Sequence, residues 1–140
     1  MQQTQLHIRP YHSDDAEQVI DLWHRCDLLR HGISPQEEIR RKVALQPELF
    51  TVGIIEGQVV ATVMAGYEGR RGWLNYVAVS PDYQRQGIGR KMVENAVAQL
   101  RETGCPKVNL QIVASNQVVV GFYESLGFTV EKLISMGRRL

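Results

Sequence analysis

The stretch that decides the fold is Val77-Ala-Val-Ser-Pro-Asp-Tyr-Gln-Arg-Gln-Gly-Ile-Gly-Arg90. Its apolar beginning, which ends at Val79, is typical of a strand that is covered on both faces. Pro81 cannot donate to a strand ladder, so we expect the chain to turn there. From Gly87 onward the apolar residues recur with a helical period. The stretch therefore predicts a buried strand, a tight turn and a helix N-terminus in direct succession.

The turn in this stretch has the chemistry of an anion site. Glycines let backbone N–H groups approach a ligand, and the first N–H groups of a helix have no partner within it. The helix dipole favours negative charge at the same end. The residues that we expect to hold a pyrophosphate here are Gln84, Arg85, Gln86, Gly87, Ile88, Gly89 and Arg90.

Other phosphate motifs fit this stretch poorly. A P-loop would need the pattern G-x-x-x-x-G-K-S/T, which does not occur, and Met92 stands where a Rossmann fingerprint has its third glycine. Glycines at a tight turn between a strand and a helix can also be purely structural. That alternative stays open on the glycine pattern alone.

Working outward, strand and helix periods alternate along the whole chain. Strands are predicted over residues 6–9, 49–55, 59–67, 73–79, 107–113 and 128–136, and four helices are predicted between them. The predicted fold class is a mixed α/β domain over residues 1–140. Its order is β-α-α-β-β-β-α-β-α-β, with a central, mostly antiparallel mixed sheet flanked by helices.

Capping residues mark the expected helix ends. Ser34 is the predicted N-cap of the second helix, with Pro35 at its first position and Glu37 completing the box. Asp14 has the corresponding spacing before the first helix. Asn116 or the preceding serine is expected to begin the last helix.

The composition excludes several classes of partner. The chain has 140 residues, with 16 lysines and arginines against 15 aspartates and glutamates. Such a balance is unusual for a general binder of nucleic acids or membrane surfaces. We therefore expect no nucleic-acid and no membrane partner.

Two further expectations concern metals and the compartment. The four histidines show no ligand spacing with Cys26 or Cys105, so no metal is expected, and the two cysteines are expected to be reduced thiols. The polar first five residues lack the pattern of a secretory signal. The prediction is a cytoplasmic protein.

The stretch from Val77 to Arg90 resembles motif A of the GNAT superfamily of acetyl-CoA-dependent N-acetyltransferases. The resemblance continues in Asn116 and in Gly121-Phe-Tyr-Glu-Ser-Leu-Gly-Phe128, which is similar to the family's motif B. It covers roughly residues 49–128. The segments Asp27–Arg30 and Gly104–Lys107 also resemble the small bacterial YpeA-like branch.

The resemblance implies a site for acetyl-CoA between two splayed parallel strands, which would end near Val79 and Val113. The backbone of Val77 and Val79 would pair with the pantetheine arm and the acetyl carbonyl. The amides of residues 85–90 would hold the pyrophosphate, and the side chain of Asn116 would bind the cofactor arm.

Tyr123 is the implied general acid, because the family has a tyrosine in this context and a phenol can protonate a departing thiolate. A core aromatic residue at this position is the alternative. The base is less well defined. Gln111 stands where enzymes of the family that acetylate a ribosomal protein have a glutamate, and an amide cannot act as a base. Glu68 is the tentative base, against the alternative of a solvated turn residue.

The predicted function is transfer of an acetyl group from acetyl-CoA, as co-substrate, to a primary amine of a small molecule or peptide. Between the first two helices lie Asp27, Arg30 and His31. One interpretation is that they contact the acceptor, and the alternative is that this segment is an ordinary exposed loop. An acyl-CoA-binding sensor without turnover is the alternative function. A phosphate-ligand protein unrelated to CoA is a third. The oligomeric state, monomer or homodimer, is left open by the sequence.

Overall fold

The computed structural model describes residues 5–140; the first four residues of the polar start lie outside the described part of the chain. Two compact units can be separated, one ending at Leu110 and one formed by Gln111–Leu140. The prediction of a single domain over residues 1–140 stays a prediction.

The first unit contains a five-stranded mixed sheet. Its strands are β1 (His7–Pro10), β2 (Phe50–Ile55), β3 (Gln58–Tyr67), β4 (Gly72–Val79) and β5 (Val108–Leu110). Neighbours along the chain are neighbours in the sheet, and only β4 and β5 pair in parallel. The mostly antiparallel mixed sheet that the sequence predicts is confirmed.

Helices of the first unit cover this sheet: α1 (Ala16–Arg25), α2 (Pro35–Val43) and α3 (Ile88–Glu102). Ser34 caps α2 as predicted, since its hydroxyl accepts from the Glu37 backbone N–H at 3.3 Å. The predicted box with Asp14 as N-cap is not formed. The box before α1 has His12 as its N-cap and Asp15 three residues later, because the Asp15 carboxylate accepts from the His12 backbone N–H at 2.9 Å; it also pairs with Arg9 at 2.7 Å.

Apolar residues of the helices and of the sheet fill the core. Trp23 of α1 lies in a cluster with Phe50 and Ala78, and all three are buried. On α3 the predicted apolar stripe is buried except for Val97, which is half-buried. Gly53 of β2 lies close to Met92, so that a side chain at position 53 would meet its sulfur at 2.9 Å. Close packing therefore fixes α3 against the sheet.

The second unit contains one helix, α4 (Gln117–Glu124). Asn116 is its N-cap, as one of the two predicted candidates, and Gly127 follows its end with a φ of +93°. The left-handed conformation at Gly127 is the usual way for a helix to end.

The predicted closing strand over 128–136 is not formed. The residues have the right alternation, but a strand exists only where a neighbour supplies hydrogen bonds, and no strand within residues 5–140 pairs with this segment. Its apolar side chains at Leu133, Ile134 and Met136 are exposed. β5 is also shorter than predicted and ends at Leu110 rather than Val113.

No helix within residues 5–140 has the length and apolar character that crossing a membrane requires.

Candidate functional site

The outer edge of β4 is open over its second half. β5 pairs with β4 only from Gly72 to Leu74, and β4 continues to Val79. Within the described part of the chain, no strand pairs with residues 75–79 on that side. Unpaired backbone N–H and C=O groups at a strand edge can pair with an extended ligand. Val77 and Val79 both lie on this segment, where the resemblance implies cofactor contacts, but the Val79 carbonyl already accepts from the Cys26 thiol at 3.3 Å and from the Gln84 side-chain amide at 3.4 Å.

A β-bulge interrupts the same segment. The register between β3 and β4 shifts between Thr62 and Met64, and Tyr76 has a φ of +49°. A non-glycine residue in this region is uncommon and costs free energy, about 1 kcal/mol or more. The bulge bends β4 directly before Val77. The sequence does not predict it, because no glycine marks the position.

The turn after β4 leads into the N-terminus of α3. Arg85 and Gly87 both have left-handed conformations, with φ of +66° and +76°. Gly87 is the N-cap of α3, no side chain caps this helix, and no acidic residue lies in its first turn. The helix dipole therefore favours an anion at this end, where no side chain among the described residues caps α3. The structure thus brings the predicted pyrophosphate residues, 84–90, next to Val79.

The positive charge near this turn is local and partly balanced. Arg85 is exposed, and Arg90 pairs with Glu94 of the next turn at 3.2 Å. An exposed pair of this kind contributes little to stability. Ser80 is buried, and its hydroxyl accepts from the Asp82 backbone N–H at 3.3 Å, which shapes the beginning of the turn.

Helix α1 reaches the end of β4 through two side chains. The Cys26 thiol donates to the Val79 carbonyl at 3.3 Å, and Arg25 donates to the Ser80 hydroxyl at 3.2 Å. Burial raises the pKa of Cys26 above its usual range, so the thiol stays protonated at neutral pH. Cys26 and Cys105 are both free cysteines. The sequence offered no signal for the contact at Val79, because it joins residues 53 positions apart.

Two predicted residues lie in the second unit. The Asn116 side-chain oxygen accepts from the Val119 backbone N–H at 3.3 Å, which makes Asn116 the cap of α4. Tyr123 is only 7% exposed, and its ring meets the Phe128 ring edge-on at 5.6 Å. Burial raises the pKa of Tyr123 to about 12. The phenol is therefore protonated over the whole physiological range.

Glu68 lies at the opposite end of β4 from Val79. β4 has eight residues, so its two ends are about 23 Å apart. The Glu68 carboxylate is exposed and accepts from the backbone N–H groups of Arg71 and Arg70 in the hairpin turn. These bonds hold the pKa of Glu68 below its usual range. The structure does not bring Glu68 together with Val77 and Val79.

The segment between α1 and α2 exposes the side chains that could contact an acceptor. Asp27, Arg30 and His31 are all exposed, and Asp27 has a φ of +56°. The Leu28 backbone N–H donates to the Trp23 carbonyl at 3.0 Å, which closes the end of α1. In the second unit, the Gln111 amide donates to the Ser135 hydroxyl.

Known proteins are similar to this chain in sequence and in fold. The family model described as "Acetyltransferase (GNAT) family" matches residues 16–128. An acetyltransferase of Pectobacterium atrosepticum is 40% identical over 135 residues, which are 96% of this chain and 96% of that protein. An uncharacterized N-acetyltransferase of Yersinia pestis has the same identity and the same coverage.

Solved structures of N-acetyltransferases have a similar fold. The ribosomal-protein-S18-alanine N-acetyltransferase from Escherichia coli has a TM-score of 0.73 and 26% identity, over 89% of this chain and 78% of that chain. An aminoglycoside N-acetyltransferase in complex with CoA has a TM-score of 0.78 over 99% of this chain and 97% of that chain. Its identity of 14% makes this a likeness of fold. None of these matches names the YpeA-like branch, which stays a prediction.

The family match spans most of the chain, and the relatives at 40% identity are named as acetyltransferases. This chain therefore belongs to the acetyltransferase (GNAT) family and is an acetyltransferase.

Proposed function

We propose that the protein transfers an acetyl group from acetyl-CoA to a primary amine of a small molecule or a peptide. The observation that carries this proposal is the open edge of β4 over residues 75–79, followed at once by the uncapped N-terminus of α3. The pantetheine arm of CoA contains amides that suit a strand edge, and its pyrophosphate suits a helix N-terminus. The two sites follow each other in the same order as these groups in CoA.

The proposed chemistry is a direct transfer. The neutral amine nitrogen attacks the thioester carbonyl, a C–N bond forms, and the C–S bond breaks to release the CoA thiolate. A backbone N–H on the open edge of β4, near Val77, would stabilise the negative charge that develops on the carbonyl oxygen. The thiolate then takes a proton, and the amine nitrogen loses one.

We propose Tyr123 as the acid that protonates the thiolate. With a pKa of about 12 the phenol is protonated at neutral pH and has a proton to give, and burial makes it a weaker acid than an exposed tyrosine. We propose further that Asn116 binds the cofactor arm, as motif B implies. The family match over residues 16–128 includes both residues.

The role of Glu68 as the general base stays a prediction. Its place at the far end of β4 and its lowered pKa favour water as the group that takes the amine proton. Gln111 cannot act as a base. A mechanism in which a glutamate at position 111 takes the proton of the acceptor amine is therefore excluded for this chain.

Turnover with acetyl-CoA and a panel of primary amines tests the donor and the acceptor class together. The panel includes polyamines, amino sugars and short peptides with free N-termini, and released CoA is measured through its thiol. We expect amine-dependent release well above the rate without acceptor. Tight binding of acetyl-CoA by calorimetry without release on any amine would overturn the proposal in favour of a sensor.

Substitution Tyr123→Phe tests the acid. We expect kcat to fall by about 100-fold with little change in the KM for acetyl-CoA, because general acid catalysis contributes about that much. Tyr67→Phe is the matched control, since the Tyr67 hydroxyl donates to the Gly69 carbonyl in the hairpin turn, far from Val79. Undiminished kcat in Tyr123→Phe would leave Tyr123 as a core aromatic residue.

A further inference from the structure

A buried side chain captures the backbone carbonyl that the β4 bulge releases. Tyr76 at the bulge has a left-handed backbone, so its carbonyl leaves the regular ladder. The Thr62 hydroxyl donates to this carbonyl at 2.8 Å. Thr62 lies on β3 and is fully buried. An unpaired carbonyl in such a place would be costly, so this hydrogen bond stabilises the bulge specifically.

Trp23 of α1 holds the same bulge in two ways. Its indole N–H donates to the Thr62 hydroxyl at 3.0 Å, which leaves the hydroxyl proton for Tyr76. Its ring also stacks on the Tyr76 ring, with centroids 3.9 Å apart and planes 18° apart. Trp23 is fully buried and stacks on Phe50 as well. The direction of the hydrogen bonds and the position of the Tyr76 ring are therefore both set by α1.

The bulge matters because it lies within the candidate cofactor edge. Tyr76 directly precedes Val77, and the open edge of β4 runs from residue 75 to Val79. A change of the Tyr76 backbone from left-handed to extended would turn the next peptide group. The N–H groups that a thioester carbonyl would meet would then point elsewhere.

We propose that Trp23 and Thr62 are positioning residues for acetyl transfer: together they hold the Tyr76 bulge and thereby aim the Val77 backbone at the acetyl end of the cofactor. This inference rests on the proposed function, because it requires acetyl-CoA on the open edge of β4. It assigns a catalytic consequence to two core residues that do not touch the cofactor themselves.

Thr62→Val, Thr62→Ser and Thr51→Val test this proposal. Thr62→Val keeps the shape but removes the hydroxyl, and Thr62→Ser keeps the hydroxyl. Thr51→Val is the matched control, because Thr51 is a buried threonine of β2 whose hydroxyl has no hydrogen-bond partner among the described residues. Each variant is compared with the wild type by the kcat and KM for acetyl-CoA, by the melting temperature, and by the NMR resonances of the Tyr76 carbonyl and the Val77 amide.

We expect Thr62→Val to lower kcat/KM by about tenfold and to shift both resonances, since one buried hydrogen bond is lost. Thr62→Ser should restore both properties, and Thr51→Val should change neither. A lower melting temperature in Thr62→Val with unchanged kcat/KM would overturn the proposal, since the hydroxyl would then be structural only.

Trp23→Phe keeps the proposal testable if Thr62→Val does not fold, because phenylalanine retains a ring but lacks the N–H donor. The same loss of kcat/KM and the same shift of the Tyr76 carbonyl are expected, and an unchanged resonance would overturn the proposal. Failure of the proposed function has a different signature. The wild type itself would then release no CoA with any amine, whether or not it binds acetyl-CoA by calorimetry, while the Tyr76 carbonyl would still respond to Thr62→Val.

Discussion

At the scale of single residues, burial changes what a side chain can do. Tyr123 is a phenol with little access to water, and desolvation penalises its charged form. The same physics acts on Cys26, whose thiol is kept neutral against the Val79 carbonyl. Surroundings also distinguish two buried threonines. The Thr62 hydroxyl has hydrogen-bond partners among the described residues, and the Thr51 hydroxyl has none. The chemistry of each residue therefore depends on its surroundings as much as on its type.

The raised pKa of Tyr123 predicts a loss of stability at alkaline pH. Its folded pKa of about 12 lies above the ordinary value of 10.0, so the stability that goes with the neutral phenol is present below pH 10. That contribution declines as the pH rises from 10 towards 12. Between pH 9 and pH 11 we expect it to decrease by about 1.3 kcal/mol.

Urea unfolding of the wild type and of Tyr123→Phe across this range measures the effect. The difference between their free energies of unfolding should change with pH, because every other tyrosine and lysine is common to both proteins. Parallel pH curves for the two proteins would contradict the burial of this hydroxyl.

At the scale of elements, the site depends on how β4 ends and α3 begins. The strand loses its outer partner after Leu74, bends at Tyr76 and turns after Val79. The helix then begins at a glycine with no side-chain cap. Helix N-caps are usually Ser, Thr, Asp or Asn, whose side chains would occupy the free N–H groups. A glycine cap has no side chain that could occupy them.

Gly87→Ala tests this role of the helix start. The φ of +76° at Gly87 is strained for alanine, so we expect a loss of about 1 kcal/mol in stability and about a tenfold rise in the Kd for acetyl-CoA. Calorimetry with acetyl-CoA measures the second effect.

Gly57→Ala is the matched control for Gly87→Ala. Gly57 lies in the turn between β2 and β3 with a φ of +77°, and at either glycine an added Cβ meets no atom of residues 5–140 within 4 Å. Gly57→Ala should lose similar stability but bind acetyl-CoA as the wild type does. Equal Kd values for the two variants would argue against a cofactor site at the start of α3.

At the scale of the whole molecule, function does not need a surplus of charge. The formal net charge is +1, and Arg85 and Arg90, the basic residues of the proposed pyrophosphate site, lie beside the N-terminus of α3. Arg90 is even paired with Glu94. Affinity for a pyrophosphate would thus come mainly from oriented backbone amides, which carry no formal charge.

Ligand binding should therefore stabilise the folded chain as a whole. At a concentration of acetyl-CoA one hundred times its Kd, we expect the melting temperature to rise by about 5–10 °C. CoA should act similarly, and a nucleoside triphosphate should have little effect. A larger shift with the nucleotide than with CoA would favour a phosphate-ligand protein unrelated to CoA.

The order of the helices and of the first five strands was predictable from the sequence, because local patterns determine it. The cap at Ser34, the glycine at the start of α3 and the apolar stripe on that helix are set by residues close together in the chain. The closing strand over 128–136 was predicted from the same kind of pattern and is not formed. Alternation is a local property, whereas strand formation requires a partner elsewhere.

What only the tertiary structure decided are the contacts between distant residues. Trp23, Thr62 and Tyr76 lie on three different elements, and neither the bulge nor the hydrogen bonds that hold it leave a periodic trace in the sequence. The separation of Glu68 from Val79 likewise follows from the direction of β4. The sequence by itself determined the order of the helices and of the first five strands, and it predicts an anion site at the start of α3. Packing decided which backbone groups remain free and where they point, because burial and hydrogen-bond partners depend on the assembled core.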